Sequence, residues 1–215
     1  MEQIVNPFRA AGVALIIIGV IDIGVMAYCI ANKISYSSSF NIFAVIAGSL
    51  LIKGGVKTAR AVRWFSSFLA VAFFGLLLVT PVTTPIGLLL TQFKVNAFSM
   101  VGSFVFGLAL VGILVWVHRQ LSTPGSLNLL AQAGYKVGKP KSAYIGAGVL
   151  MVLAVGLSAE LLNGESAQKA KSLAREQLGP SFEYHVSSIS ISGNAGRAAV
   201  TAYTNKEIRN VDVRW

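Results

Sequence analysis

Charged residues are scarce in this chain, and their scarcity excludes an ordinary soluble protein. Of its 215 residues, 12% are charged and 54% are hydrophobic, and the mean hydropathy is +0.68. A soluble core of this size would need far more polar surface to cover it, whereas lipid accepts apolar side chains on the outside of a helix bundle. The composition therefore predicts an integral membrane protein.

Cysteine and histidine are nearly absent, which leaves little material for metal or redox chemistry. Cys29 is the single cysteine, so no internal disulfide can form, and we interpret it as a small apolar filler in the first apolar run. His118 and His185 are the two histidines, and the topology predicted below places them on opposite sides of the membrane. We therefore expect no metal site and no cofactor.

Catalytic motifs are also missing from the sequence. Residues 134–139 have a superficial likeness to a phosphate loop, but three residues instead of four separate the glycines, and Pro140 stands where a hydroxyl is needed. Serines are plentiful, yet the possible general bases are few and scattered, so no set of nucleophile, base and orienting residue emerges. The sequence predicts that the protein is not an enzyme.

The chain does have long apolar runs. Five of them are predicted to cross the membrane, at residues 11–30, 40–51, 64–82, 98–117 and 144–162. A hydrocarbon core of about 30 Å needs about 20 helical residues, so the second run is the shortest even when it is extended toward residue 55. The first run is longer than the core of a signal peptide, and we interpret it as a retained span. The predicted fold is an all-α membrane bundle over residues 1–163.

The lysines and arginines predict how these spans are oriented. Two loops, after the second and the fourth span, hold most of them: Lys53, Lys57, Arg60, Arg63, Arg119, Lys136, Lys139 and Lys141. The loops after the first and third spans offer only Lys33 and Lys94. Because positive loops stay in the cytoplasm, we expect an inner-membrane protein with a cytoplasmic N-terminus and a periplasmic C-terminus. The same rule accounts for the net charge of +10, so we expect no nucleic-acid partner.

Residues 81–96 are too polar and too interrupted by proline to extend a span. Ile86, Leu89, Leu90 and Phe93 follow helical spacing, which indicates a short helix lying at the outer membrane interface. A packed loop is the alternative, and the two are equally compatible with the sequence.

The composition changes abruptly after residue 163, since six acidic and seven basic residues lie between Glu160 and the C-terminus. Residues 164–215 are predicted to form a small extracytoplasmic α+β domain. Its helix ends at Gly179 and Pro180. Five small or apolar residues lie on one face of this helix: Ala167, Ala170, Leu173, Ala174 and Leu178. Strand-like stretches at 182–191, 197–203 and 208–215, separated by turns at 192–194 and 204–207, predict a three-stranded antiparallel meander.

The last strand is the candidate for binding a partner. Val211, Val213 and Trp215 alternate with polar residues, which is the pattern of a half-buried strand. A unit this small is marginally stable alone, so we expect it to lean on the membrane domain or on another protein. Pairing of main chains at the sheet edge is one available mode.

Asp22 is the residue that the membrane makes expensive. A carboxylate at the centre of a bilayer costs on the order of 3 kcal/mol, so it normally faces the bundle interior with a partner or in its protonated form. We favour a structural role, in hydrogen bonding or in pairing with another subunit, because few other buried polar groups could form a transport path. The functional alternative is a proton or ion relay.

The C-terminal quarter resembles a known family. Its body reads AREQLGPSFEYHVSSISISGNAGRAAVTAYTNKEIRNVDVRW. A helix ending in Leu-Gly-Pro, an ISISG turn and a GRAAVTAY strand are similar to the small membrane-tethered domain of cytochrome oxidase assembly proteins. The resemblance implies a non-enzymatic binding module that attends the building of a respiratory oxidase. It carries over no binding residues, since the matching positions, among them Gly179, Gly193, Gly196 and Tyr203, are structural.

These observations lead to one main expectation and two alternatives. We expect a non-catalytic accessory or assembly protein whose C-terminal domain binds another membrane or periplasmic protein, such as part of a respiratory complex. A small transporter or channel that uses Asp22 is one alternative. An immunity-type protein that neutralises a toxin at the membrane is the other.

Overall fold

A computed structural model describes residues 6–32, 41–193 and 195–215, and it is mostly helical with a small sheet at the C-terminal end. The described helices are α1 (Arg9–Ala31), α2 (Asn41–Ile52), α3 (Val56–Thr83), α4 (Ile86–Gln120), α5 (Pro124–Gln132), α6 (Lys141–Asn163) and α7 (Glu165–Leu178). The described strands are β1 (Glu183–Ser192), β2 (Ala195–Tyr203) and β3 (Ile208–Arg214).

Four of the described helices, α1, α3, α4 and α6, are long and apolar enough to cross a membrane. They correspond to four of the five predicted spans, which are confirmed by length and composition. The remaining one, α2, is apolar but has 12 residues, and at 1.5 Å per residue it covers about 18 Å. As a helix alone it is too short for a core of about 30 Å. The predicted start of this span at Phe40, and Lys33 before it, lie outside the described residues.

Helices α1 and α2 pack against each other through a glycine contact. A Cβ atom at Gly12 would lie 2.7 Å from the carbonyl oxygen of Gly48, and one at Gly48 would lie 2.5 Å from that of Gly12. At the same end of the pair, the Asn6 side-chain amide donates to the carbonyl oxygens of Leu51 and Ile52 at 3.0 and 2.8 Å. The start of α1 and the end of α2 therefore lie side by side, as in a helical hairpin.

The chain forms two compact units, and three of the long helices, α3, α4 and α6, are each divided between them. The first unit consists of Met1–Val71 and Leu110–Gly146, and the second of Ala72–Ala109 and Ala147–Trp215. The first unit has an apolar core made by α1 to α4: Phe8, Ala11, Leu15, Leu51, Ala59, Val117 and Leu121. The predicted boundary between a bundle over 1–163 and a domain over 164–215 stays a prediction.

Residues 86–95 are helical, which rules out the packed loop. They form the first part of α4, and the helix is interrupted at Asn96, whose φ of −136° and ψ of 46° are not helical. Only two residues separate α3 from α4, because α3 continues through Pro81 to Thr83. The predicted short helix is therefore joined to the fourth span at a kink instead of standing apart from it.

Helix α5 was not predicted, although its start follows a recognisable pattern. Thr123 is its N-cap residue and accepts a hydrogen bond from the Ser126 amide, and Pro124 occupies the first turn. Threonine followed by proline is a common helix start, because proline needs no hydrogen-bond partner there.

The C-terminal residues form one helix packed on a three-stranded antiparallel sheet in the order β1-β2-β3, as the sequence predicts. Three alanines of α7 have no exposed surface and let the helix approach the sheet closely: Ala167, Ala170 and Ala174. Gly179 ends α7 with a φ of 87°, and Gly193 turns between β1 and β2 with a φ of 59°. Positive φ values favour glycine at both positions. Asn194 lies outside the described residues.

Candidate functional site

Asp22 lies on α1 in the first unit, where it is half-buried and makes a polar interaction. The other acidic residue on the four long helices is Glu160, which is exposed near the C-terminal end of α6. A proton relay usually needs several titratable groups in sequence. Both roles predicted for Asp22 stay predictions.

The three residues predicted for partner binding, Val211, Val213 and Trp215, face α7. Val213 is 1% exposed and belongs to the core between helix and sheet, and Val211 and Trp215 pack against that core. The Trp215 ring lies over Gly196, where a Cβ atom would collide with it. These side chains therefore pack between the helix and the sheet, and their role in binding a partner stays a prediction.

The opposite face of the sheet is covered in part by the start of α4. The Thr91 hydroxyl donates to the carbonyl oxygen of Thr204 at 2.7 Å, and Leu88 is 2% exposed. A Cβ atom at Gly87 would lie 3.2 Å from the Tyr203 ring. The sheet thus lies between α7 and α4 within the second unit. Sequence reasoning missed this contact, because Gly87 and Thr91 fit no binding motif.

A groove of about 880 Å³ opens beside this contact. Its apolar lining comes mostly from α3 and α4: Leu77, Pro81, Leu88, Leu89, Phe93, Met100, Val101 and Phe104. Its polar lining is made of hydroxyl, amide and imidazole groups: Thr80, Thr84, Gln92, Asn96, Ser99, Ser103, His185, Ser187 and Thr201. Neither set includes a lysine, an arginine or a carboxylate.

The polar wall of the groove is organised along the sheet. Ser187 is an extra residue where the β1–β2 register shifts, which is a β-bulge, and its hydroxyl lies 2.8 Å from that of Thr201. The Thr201 hydroxyl donates to the Asn210 side chain at 3.2 Å. Burial lowers the pKa of His185 on the same face, and the Lys171 charge lowers it further. The lowered pKa of His185 favours the neutral imidazole, which suits a groove that offers hydrogen bonds and has no lysine, arginine or carboxylate in its lining.

Tyr203 and Glu183 form a pair at the end of the sheet next to α4. Burial of the Tyr203 ring, together with a hydrogen bond to Glu183 and the negative charge of that residue, raises the pKa of Tyr203 to about 12. The phenol therefore stays protonated throughout the physiological range. Its role is to pack and to donate a hydrogen bond.

The first unit contains a buried polar cluster that sequence reasoning also missed. Ser67, which is 3% exposed, shares a hydrogen bond of 2.7 Å with His118 Nδ1. Arg63, which is 8% exposed, donates through Nε to Ser122 at 2.9 Å. A serine next to a histidine suggests a nucleophile and a base, but the burial of the Ser67 hydroxyl keeps a substrate from reaching it. The cluster ties α3 to α4 and to the residues after α4.

Comparison with known proteins adds no relative to this picture. No protein-family model matches the chain, and no curated protein or solved structure matches it significantly. The resemblance of the C-terminal quarter to oxidase assembly proteins stays a prediction.

Proposed function

We propose that the protein is a non-catalytic accessory protein of the membrane, and that its C-terminal domain binds an extended segment of another protein along the free edge of β1. The observation that carries the proposal is the position of β1. It is an outer strand of the described sheet, and the uncharged groove lies beside it. An extended chain that pairs with such an edge gains main-chain hydrogen bonds, and neighbouring pockets select its side chains.

The two sheet edges differ in charge, and the difference favours β1. Natural sheets protect their edges with charged side chains, and β3 carries three, at Arg209, Asp212 and Arg214. By contrast, residues 186–192 of β1 read VSSISIS and carry none. Ile191, near the end of this stretch, is 51% exposed. An exposed, uncharged strand edge is the better template for an added strand.

The groove supplies the second half of the proposed site. Side chains of an added strand would alternate between the α7 face of the sheet and the face that carries His185 and Ser187. Every second side chain would therefore point toward the groove. Its mixed lining suits small apolar and hydroxyl-bearing side chains and disfavours charged ones, because no ion partner lines it.

The resemblance to oxidase assembly proteins suggests that the partner belongs to a respiratory complex, and we include this in the proposal. We also propose a fifth crossing. The end of α2 lies beside the start of α1, so α2 ends on the side of the membrane where α1 begins. An odd number of crossings places the C-terminal domain opposite the N-terminus, and the basic loops then place it in the periplasm.

A test of the site is photo-crosslinking in native membranes. A photoreactive amino acid that replaces Ser190, which is exposed on β1, is expected to crosslink one partner. The same photoreactive amino acid in place of Gln177, on the exposed side of α7, is expected to give no crosslink. A second variant, Ser190→Lys with Ser192→Lys, is expected to abolish recovery of that partner, because charge disfavours strand pairing at an edge.

The matched control places the same charges on α7, as Gln168→Lys with Gln177→Lys, at two exposed positions. It is expected to retain the partner. Equal crosslinking from both faces, or equal loss of the partner in both lysine variants, would overturn the proposal.

A further inference from the structure

Six of the eight basic residues predicted in two loops, which the positive-inside rule already explains, converge in one cleft of the first unit. The cleft has a volume of about 630 Å³ and lies where α3 begins, beside the segment that leads into α6. Six of its lining residues are cationic: Lys57, Arg60, Arg63, Lys136, Lys139 and Lys141. None of its lining residues is acidic.

Orientation in the membrane does not require this arrangement. The positive-inside rule counts lysines and arginines in short loops and is indifferent to where their side chains meet. Here residues more than 70 positions apart in sequence line the same concave surface. In the described part of the first unit, Asp22 is the one acidic residue against nine lysines and arginines. The mutual repulsion of these cations is relieved when an anion binds between them.

Arg63 connects the two segments that line the cleft. Its guanidinium donates through Nη2 to the carbonyl oxygens of Val137 and Gly138, each at 3.2 Å, in addition to its bond to Ser122. All three acceptors are neutral, so none of them cancels the positive charge of the guanidinium. The two carbonyl bonds fix the segment that carries Lys136 and Lys139 next to α3. Arg63 is therefore a positioning residue, and the exposed cations around it are the ones that reach a ligand.

Aromatic side chains complete the cleft on its apolar side. Trp64 lines it and donates through Nε1 to the Ser142 hydroxyl at 2.9 Å, while its ring stacks on Phe68 at a centroid distance of 5.4 Å. Phe65 also lines the cleft and is 55% exposed. Tryptophan concentrates at the level of lipid headgroups. The α6 helix begins at Lys141, so the positive end of its dipole lies at the cleft as well.

We propose that this cleft binds a phosphate group, and that an anionic phospholipid supplies it through its headgroup. Clustered lysines and arginines between membrane helices suit such headgroups, because they combine charge with multiple hydrogen-bond donors. The aromatic residues favour a lipid over a soluble phosphorylated compound, which presents the same phosphate without acyl chains. The inference concerns the first unit and does not depend on partner binding by the C-terminal domain.

The test compares two triple variants of the full chain in detergent, with bound lipid measured by native mass spectrometry. The cleft variant is Lys136→Gln, Lys139→Gln and Lys141→Gln. The control removes as many charges from exposed positions of the same unit outside the cleft, as Arg9→Gln, Lys53→Gln and Arg119→Gln. Phosphatidylglycerol and zwitterionic phosphatidylcholine are the lipid probes, and inorganic phosphate, followed by thermal shift, is the soluble probe.

We expect the cleft variant to bind phosphatidylglycerol more weakly than the wild type by a factor on the order of ten or more, and the control to stay within about twofold. We expect little change for phosphatidylcholine. If only the stabilisation by inorganic phosphate is lost, and only in the cleft variant, the phosphate site stands and its source is soluble.

Equal losses in both triple variants would show general attraction to the charge of the unit and would overturn the site. Unchanged binding of both probes in the cleft variant would overturn it as well. Should the triple variant lose stability, Lys139→Gln alone allows the same comparison with a smaller expected loss.

Discussion

In the first unit, nine described lysines and arginines accompany a single acidic residue, whereas in the second unit eight accompany six. In the second unit the two signs meet on the surface, as between Arg197 and Asp212 at 3.1 Å and between Arg209 and Glu207 at 3.2 Å. In the first unit the cations gather around a cleft instead. The second unit therefore balances its surface charges locally, whereas the cationic cleft has no acidic lining residue, and the proposed phosphate site rests on this difference.

The two units also differ in where they bury polar groups. The described part of the first unit buries a cation, Arg63, together with Ser66, Ser67 and Ser126, whereas the polar residues buried in the second unit are two threonines, Thr91 and Thr201. Changes in the core between α7 and the sheet should act on the second unit alone, and changes at Arg63 on the first unit alone.

The largest effect is expected for Val213→Asp. The change places a carboxylate without a partner among Ala170, Val200 and their neighbours, at a cost of at least about 4 kcal/mol. A domain of this size cannot absorb that cost, so we expect it to unfold. Limited proteolysis should show cleavage within the sheet of the variant and an intact sheet in the wild type. The control, Asn210→Asp on the exposed side of the same strand, should resist proteolysis as the wild type does. A Val213→Asp variant that resists proteolysis would contradict the assignment of Val213 to the core.

Arg63→Ala is expected to have the next largest effect, confined to the first unit. The variant leaves the carbonyl oxygens of Val137 and Gly138 without the donor they share, which we expect to cost about 2 to 3 kcal/mol. Thermal unfolding in detergent measures the loss. Arg63→Lys should lose nearly as much, since an ammonium cannot reproduce the fork of the guanidinium.

Arg60→Ala is the matched control, because Arg60 is exposed one turn away and stacks on Tyr135 at 4.9 Å. We expect it to cost clearly less than Arg63→Ala. Equal losses at the two positions would indicate that net charge, and not the bonds of Arg63, sets the stability.

A smaller effect, one of pH, is expected in the second unit. Burial lowers the pKa of His185 in the folded state below its ordinary value of about 6.5, so the unfolded chain takes up a proton more readily. The contribution of His185 to stability is then fully present above that value and declines as the pH falls through it. His185→Gln should reduce the change of the unfolding midpoint with pH between pH 7.5 and pH 5.5, as measured by tryptophan fluorescence. An unchanged slope would show that His185 does not titrate differently on folding.

The smallest effect is expected for Asp212→Asn. The Arg197–Asp212 ion pair is more than half exposed on both sides, at 57% and 58%, and such pairs contribute about 0.5 kcal/mol or less. The free energy of unfolding should change by no more than this amount, and added salt should reduce the difference further. A larger loss would mean that charge balance in the second unit contributes more to stability than the exposure of this ion pair suggests.

Local patterns predicted much of the fold. Apolar runs long enough to cross a bilayer identified α1, α3, α4 and α6, and the small residues on one face of α7 identified its buried side. The alternation of Val211 and Val213 gave the correct inward face of β3. The assignment of that face to partner binding could not be judged from the pattern, because alternation shows that one side is buried and not what covers it. In the structure α7 covers it.

The candidate sites were harder to predict, because distant residues build them. The hydrogen bond from Thr91 to Thr204 joins positions 113 residues apart, and that from Arg63 to Gly138 joins positions 75 apart. Neither pair belongs to a motif of fixed spacing. Helix α5 is the exception, since Thr123 and Pro124 form a recognisable start.

Composition and long apolar runs identify lipid as the surroundings of this protein, because its scarce charges could not cover a soluble core of this size. It also determined the local elements, since helix and strand periodicities act within a few residues. Tertiary packing, by contrast, brings six cations into one cleft and lays the start of α4 over part of the sheet. Those outcomes depend on packing between segments far apart in the chain, which no local pattern of residues encodes.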